Sequence, residues 1–250
     1  MRSMVLISLV LMFSSPIKGD DFGTQQLSEL VSRGQLLCAS ALLYFNPDER
    51  TPDPRSLTAV YHHLNTLDTY VLQLGHPPQL LQPLRAMQRT FGELDALPRQ
   101  QRRRNSALLE QLLTQQRLLQ LAASAAYRKA RAGAGPAVSL QLLNGQSQEM
   151  AALLLDYQLR HSPSVNGSSW LLDGERLLAL DQAIEKRFDD MQSAIAEHAA
   201  VLGRVRSQYQ FVRPLLQVRS GRAHGGAEFY LSRAVLDLDE LAMTILLGTP

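Results

Sequence analysis

Cysteine is almost absent from this sequence: Cys38 is the only one in 250 residues. One cysteine cannot form an internal disulfide, so packing alone must hold the fold together. Cys38 also lies well beyond the N-terminal apolar run and inside a helical pattern of leucines, which argues against the lipid-attachment site of a lipoprotein. We therefore expect Cys38 to be a small buried core residue.

Aromatic residues are scarce as well, at 6% of the chain, and long alternating runs of β-branched residues are missing. Apolar residues, mostly leucine, instead recur at steps of three and four, which is the spacing of a buried helical face. The sequence therefore predicts an all-α fold.

The motifs of common catalytic and metal sites are also missing. The sequence contains no G-x-S-x-G turn, no phosphate-binding glycine loop, no H-E-x-x-H helix, no C-x-x-C-H haem site and no pair of E-x-x-H motifs. We therefore expect no enzymatic activity, no metal and no cofactor. The formal net charge of +2 is too small to attract a nucleic acid over a distance, so we expect no nucleic-acid partner.

The N-terminus has the pattern of a secretion signal. Arg2 is followed by an apolar run from Met4 to Phe13, interrupted only by Ser8, and the stretch from Pro16 to Gly19 breaks it. The run is shorter than the roughly 20 residues of a membrane-spanning helix. We predict a signal peptide at 1–19, a periplasmic or secreted protein, and a chain that does not span a membrane after signal removal.

The remaining chain divides into two helical halves. Four apolar stripes lie within 20–131, and prolines or glycines separate them. The small, unpatterned run R-A-G-A-G-P at 131–136 follows, and a second set of stripes occupies 137–250. The most regular stripe predicts one helix over about 171–205, with a short helix at 209–218 after it. These patterns predict two tandem antiparallel helical bundles.

A weak internal repeat relates the halves. Six residues in the first helix recur 111 positions later, including the pair Gly34-Gln35 at Gly145-Gln146. Glycine costs a helix about 1 kcal/mol relative to alanine, so two matching glycines indicate close helix approach or a backbone that faces a ligand. A buried glutamine further needs hydrogen-bond partners. By contrast, we interpret the carboxylate pairs Asp189–Asp190 and Asp237–Asp239 as solvated surface charges.

At these residues the chain resembles the N-terminal sensory domain of type IV pilus methyl-accepting chemotaxis transducers, which is itself similar to the periplasmic nitrate-sensor bundle of histidine kinases. The segments SRGQLL at 32–37 and NGQSQEM at 144–150 carry the resemblance. It implies a helical bundle, often in two copies, whose first helix meets an anion through an arginine. Ligand-binding candidates are then Arg33, Gln35, Asn144 and Gln146, although only the first copy supplies the arginine.

Two functions follow as hypotheses. The first is a periplasmic, non-enzymatic sensory or binding module that binds a small ligand, for which a small anion is a candidate, or docks a membrane receptor. The alternative is a structural helical interaction protein of an envelope or pilus assembly. In that case the partners would be envelope or pilus proteins, and the Gly-Gln pairs would serve helix packing.

Overall fold

The computed structural model describes residues 18–46, 53–98, 101–132, 138–163, 165, 171–218 and 225–248, and within these ranges the protein is all-α, as predicted. The described ranges contain eight α-helices and one short 3₁₀ turn, and no strand. The helices are α1 (Lys18–Tyr44), α2 (Pro54–Gln73), α3 (Pro78–Ala96), α4 (Arg102–Arg131), α5 (Val138–Arg160), α6 (Gly174–Ala194), α7 (Ala199–Leu216) and α8 (Gly225–Leu247).

Helix ends follow local chemistry. Asp53 caps α2 by accepting a hydrogen bond from the backbone N–H of Arg55, and Pro54 occupies the first helical position, where its missing N–H costs nothing. Asp173 caps α6 in the same way by accepting from the backbone N–H of Arg176. Both caps place a carboxylate at the positive end of the helix dipole.

Two hydrophobic cores lie side by side, and α1 contributes to both. Helices α1 to α4 enclose the first core and α5 to α8 enclose the second, which also takes in Leu36, Ala39 and Leu43 of α1. Cys38 belongs to the first core and is 1% exposed, which confirms its prediction as a buried residue. Because α1 packs on α2, α4, α5 and α8, it is buried nearly all round.

The long helix predicted over 171–205 is wrong. The chain leaves the α-helix at Ile195, whose backbone angles are φ −138° and ψ 53°, and passes through the 3₁₀ turn Ala196–His198 before α7 begins. The predicted short helix at 209–218 is instead the end of α7, with Pro214 in its last turn. The apolar spacing continues across the break because Ile195 and Leu202 are both buried in the same core, so periodicity could not reveal it.

Neighbouring helices follow the same order in both halves. In the first half α1 packs on α2 and α4, and α3 packs on α4; in the second half α5 packs on α6 and α8, and α7 packs on α8. The boundary predicted at 131–136 falls between α4 and α5 and lies mostly outside the described residues. A common order of neighbours does not establish a common ancestry of sequences, so the internal repeat stays a prediction.

The predicted signal peptide lies almost entirely outside the described residues, and α1 already begins at Lys18. Within the described ranges, no helix combines the length and the apolar character needed to cross a membrane.

Candidate functional site

A buried polar cluster joins the two halves where α1 meets α8 and α5. Asp239 of α8 is 2% exposed and receives hydrogen bonds from Ser147 of α5, through a short contact, and from Ser32 of α1 at 3.2 Å. The Nε atom of Arg33 lies 3.6 Å from the same carboxylate. The Asp239 side chain thus links α8 to α5 within the second half and to α1 of the first half.

A second buried carboxylate belongs to this cluster. Glu29 is 1% exposed; it receives a hydrogen bond from the Tyr70 hydroxyl of α2, and Arg33 lies 3.4 Å from it. The guanidinium of Arg33 therefore lies close to both carboxyl groups, those of Glu29 and Asp239. Burial, followed by the negative charge of Glu29, raises the pKa of Asp239 from 3.8 to about 8, so Asp239 holds a proton at neutral pH.

A histidine lies close to this cluster on α2. His63 is 2% exposed, and burial, together with the nearby charge of Arg33, lowers its pKa from 6.5 to about 3. Both polar groups thus avoid a buried net charge, His63 by losing a proton and Asp239 by keeping one.

The prediction that Asp237 and Asp239 are solvated is wrong. Asp237 is 4% exposed and pairs with Arg204 and Arg233, while Asp239 lies in the cluster just described. The prediction assumed that α8 buries only one stripe, whereas it packs on α1, α5 and α7. Asp189, by contrast, is 67% exposed in its side chain, as expected of a surface charge.

In the second Gly-Gln pair, Gly145-Gln146, both polar atoms of the glutamine side chain hydrogen-bond other residues of the protein. The Gln146 amide donates to the carbonyl oxygen of Ile184 at 3.1 Å and accepts from Arg187 at 3.2 Å. Arg187 also forms two 2.7 Å hydrogen bonds with Glu149. A Cβ atom on Gly145 would meet the Arg187 guanidinium at 3.5 Å, which is ordinary van der Waals contact. Gln146 is therefore a structural hydrogen-bonding residue that joins α5 to α6.

The first Gly-Gln pair has different surroundings. Gly34 lies against Gln116 of α4, where an added Cβ would again make an ordinary contact at 3.5 Å. Gln35 is 5% exposed, yet its carbonyl oxygen accepts no hydrogen bond. An unpaired buried acceptor costs about 1–3 kcal/mol, so Gln35 lacks the structural explanation that accounts for Gln146.

Gln35 lines a cleft of about 390 Å³ between the two halves. The walls come from α1, α4 and α5 and from the segment that leads into α6, so neither half forms the cleft alone. The lining residues are Gln35, Leu113, Gln116, Arg117, Gln120, Leu121, Ala152, Leu155, Asp156, Leu159, Leu171, Leu172 and Arg176. The size falls in the range of small-molecule sites, which are mostly apolar with a few polar groups.

Asp156 holds one wall of this cleft in place. Its carboxylate accepts hydrogen bonds at 2.8 Å from the side chain of Arg160 and from the backbone N–H of Leu172. Arg160 in turn donates to the carbonyl oxygens of Leu216 and Val218, at the end of α7. Asp156 therefore fixes the segment before α6 against α5, and its oxygens are engaged without any ligand.

A smaller cavity of about 290 Å³ lies within the second half, between α5, α6 and the end of α7. Its lining carboxylate, Asp181, is bound by Arg213 at 2.6 Å and 2.8 Å and by the Tyr209 hydroxyl. Its polar group is thus satisfied by protein contacts, which distinguishes this cavity from the cleft at Gln35.

The four predicted ligand-binding residues do not form one site. Arg33 belongs to the buried carboxylate cluster, Gln146 bonds α6, and of the four only Gln35 lines the cleft. Asn144 is 5% exposed, and its side-chain oxygen also accepts no hydrogen bond. The sequence analysis did not identify Asp239, nor the cleft residues of α4, of the segment before α6 and of the start of α6, because all of them are remote in sequence from the Gly-Gln pairs.

No family model, curated protein or solved structure matches this chain. Among the residues that the structure describes, no group of three or more His, Cys, Asp or Glu side chains is placed to hold a metal ion.

Proposed function

We propose that this protein is a periplasmic, non-enzymatic binding or sensory module, and that the cleft between its two halves is the ligand site. One observation carries the proposal: Gln35, a buried glutamine whose side-chain oxygen accepts no hydrogen bond, lines a cleft large enough for a small molecule. A ligand that hydrogen-bonds the Gln35 amide would give this side chain the kind of partner that buried polar groups generally have in native proteins.

The position of the cleft supports a sensory role. A ligand would contact α1 and α4 of the first half together with α5 and the start of α6 in the second. Contacts with both halves favour the arrangement of helices in which the cleft is closed around the ligand, so binding energy can shift how the halves pack. A membrane receptor or an envelope protein that contacts both halves would detect this shift.

Thermal unfolding of the purified mature protein tests the ligand site. We expect at least one compound in a panel of small anions (including nitrate), organic acids, amino acids and sugars to raise the melting temperature, because a ligand bound only by the native state stabilises it. Ala152 lies in the cleft wall, and Ala152→Phe should fill the cleft and abolish the shift. A panel without any shift, or a shift that survives Ala152→Phe, would contradict the proposal.

A structural interaction protein is the second candidate, and an exposed aromatic patch favours it. Phe211 of α7 and Phe229 of α8 are 64% and 56% exposed, and both contact the ring of Tyr230, at centroid distances of 4.8 Å and 5.2 Å. Exposed apolar patches often mark protein contacts. Replacement of both phenylalanines by serine should then abolish co-purification of an envelope partner, and an unchanged set of co-purified proteins would count against this candidate.

A further inference from the structure

We propose that α4 is the contact surface for a second copy of this chain, and that the α4 helices of the two copies pack antiparallel about a two-fold axis. This inference is independent of the ligand proposed for the cleft. Three observations carry it: an exposed stripe on α4 with heptad spacing, a pair of leucines at its centre, and polar groups that match when the stripe meets itself in the opposite direction.

Helix α4 has a face that no other described helix covers. Among the described helices, α4 packs on α1 and α3 alone. Its outward face is exposed at positions that alternate steps of three and four, and we call this set the α4 stripe: Gln111, Thr114, Leu118, Leu121, Ala125 and Arg128. The spacing repeats every seven residues, which is the repeat of helices that pair along a seam.

Two leucines occupy the middle of the α4 stripe. Leu118 is 49% exposed and Leu121 is 60% exposed. When two antiparallel α4 helices pair about the midpoint between these leucines, Leu118 of each copy lies opposite Leu121 of the other. A two-fold axis makes this contact twice, so four leucine side chains leave water together on dimerisation.

The same register places matching polar groups opposite one another. Gln111 of each copy faces Arg128 of the other, so an amide oxygen can accept from a guanidinium. Along one edge of the α4 stripe, Glu110 faces Arg131 of the other copy, which is an attractive pair. Glu110 already has a contact within its own chain. A carboxylate can accept from several donors, so that contact leaves room for a second one.

The charge of α4 selects the antiparallel direction. The helix carries seven basic residues and one acidic residue, so two copies attract only where the register keeps the basic side chains apart. Parallel pairing sets each stripe residue against itself and would bring Arg128 onto Arg128. In the antiparallel register Arg128 meets Gln111, and Arg117, at the edge of the stripe, meets Ser124. Charge complementarity therefore favours the antiparallel pair.

Sedimentation velocity of the purified mature protein over a series of concentrations tests the dimer. We expect a reversible dimer, and Leu118→Lys should raise its Kd at least about 10-fold, because it places a charge against an apolar side chain twice in each dimer. Leu72→Lys is the matched control, since Leu72 of α2 is 56% exposed but lies outside the stripe. Leu118 suits the test better than Leu121, which also lines the cleft.

Engineered cysteines test the direction of pairing. The double variant Thr114→Cys with Ala125→Cys should form disulfides between copies under mild oxidation, because these positions face each other in the antiparallel register. Neither single variant should do so. The two copies of one such position lie about 16 Å apart along the helix axis, and a disulfide needs Cα atoms within about 7 Å. The natural Cys38 is 1% exposed and does not take part.

Charge reversal tests the register. Glu110→Arg and Arg131→Glu should each raise the Kd of the dimer about 5-fold, because each sets like charges opposite one another at two places. The double variant restores opposite charges and should return the Kd to that of the natural chain. Recovery in the double variant would not follow if either residue acted only within its own chain.

Four results would overturn this inference or one of its parts. A monomer at every concentration up to about 1 mM would refute the dimer. A dimer that Leu118→Lys leaves as tight as Leu72→Lys does would refute α4 as the contact surface. Disulfide-linked dimers of either single cysteine variant would refute the antiparallel direction. A double charge variant that dimerises no better than the single ones would refute the register. None of these results depends on a ligand in the cleft.

Discussion

Substitution of Asp239 by asparagine tests the buried cluster through the pH dependence of stability. The pKa of Asp239 is about 8 in the folded protein and 3.8 when exposed, so between these values the folded state holds a proton that the unfolded state has released. Folding then takes up a proton, and the free energy of unfolding falls as the pH rises through this window. The slope is at most about 1.4 kcal/mol per pH unit.

His63 limits where this slope can be measured. Its pKa is about 3 in the folded protein and 6.5 when exposed, so below pH 6.5 the unfolded state binds a proton that the folded state does not. This makes the protein less stable as the pH falls, and it opposes the effect of Asp239 between about pH 4 and 6.5. The interval from pH 6.5 to 8 is therefore the best one for the measurement, and Asp239 should account for a loss of about 1.6 kcal/mol across it, because the slope falls to half its maximum as the pH reaches the folded pKa.

Asparagine has the shape of aspartic acid and can still hydrogen-bond Ser32 and Ser147, but it does not titrate. Other charges that face Asp239 are Glu29 and Arg33 of α1, and these remain in the variant. We expect Asp239→Asn to gain about 1.6 kcal/mol relative to the natural chain between pH 6.5 and 8, measured by urea unfolding at constant ionic strength.

Glu240→Gln is the control, because it removes an exposed carboxylate next to Asp239 on the same helix without touching the cluster. It should leave the slope unchanged. If the natural chain and Asp239→Asn gave parallel curves of stability against pH in this interval, the proton on Asp239 would be refuted. A steeper loss in the asparagine variant would refute the sign of the argument as well.

Four further experiments test other parts of the structure. His63→Leu should remove a loss of stability that the natural chain shows as the pH falls from 6.5 towards 3; equal losses would contradict the neutral, buried histidine. The Cys38 thiol, 1% exposed and with a pKa raised by burial, should react with a thiol reagent only after unfolding, and rapid reaction of the native protein would contradict its burial. Gln146→Leu should cost about 1–3 kcal/mol by stranding its partners, whereas Gln35→Leu should cost nothing in urea unfolding; equal losses would show that both are structural. Gly34→Ala should stabilise by up to about 1 kcal/mol, because the added Cβ meets only an ordinary contact, and a large loss would restore the case for close helix approach.

The sequence predicted those parts of the fold that depend on one buried stripe per helix. Prolines separate the apolar stripes of the first half, and two of them lie at helix ends: Pro77 is the N-cap of α3, and Pro98 follows its C-cap, Leu97. The break at Ile195 was missed because both sides of it bury residues in the same core, so the spacing of apolar residues shows no interruption. The spacing of apolar residues shows which face of a helix is buried. It does not show whether the helix continues in the same direction.

The buried polar cluster was also not predicted from the sequence. The feature that could have indicated it is the set of polar residues within α1. Between residues 25 and 32 the polar side chains Gln25, Gln26, Ser28, Glu29 and Ser32 are buried along with the apolar ones. A helix that contacts four neighbours has no solvated face, so its polar residues must find partners in other helices. Asp239 of α8 is such a partner, because it accepts a hydrogen bond from Ser32 of α1. The two residues are some two hundred positions apart in sequence, so no local pattern could connect them.

The two Gly-Gln pairs show how far matching sequence determines matching chemistry. Both glutamines are buried in corresponding helices, and each is preceded by a glycine with room for a Cβ atom. What differs is the helix opposite: α6 presents Arg187 and a carbonyl oxygen to Gln146, while α4 presents Gln116, whose amide donates to Gln120 instead. The glutamine of the second pair therefore hydrogen-bonds a neighbouring helix, whereas the glutamine of the first pair lines the cleft with an unpaired side-chain oxygen. Because the difference comes from the partner helix, a ligand site that arises in only one half is consistent with both pairs being alike in sequence.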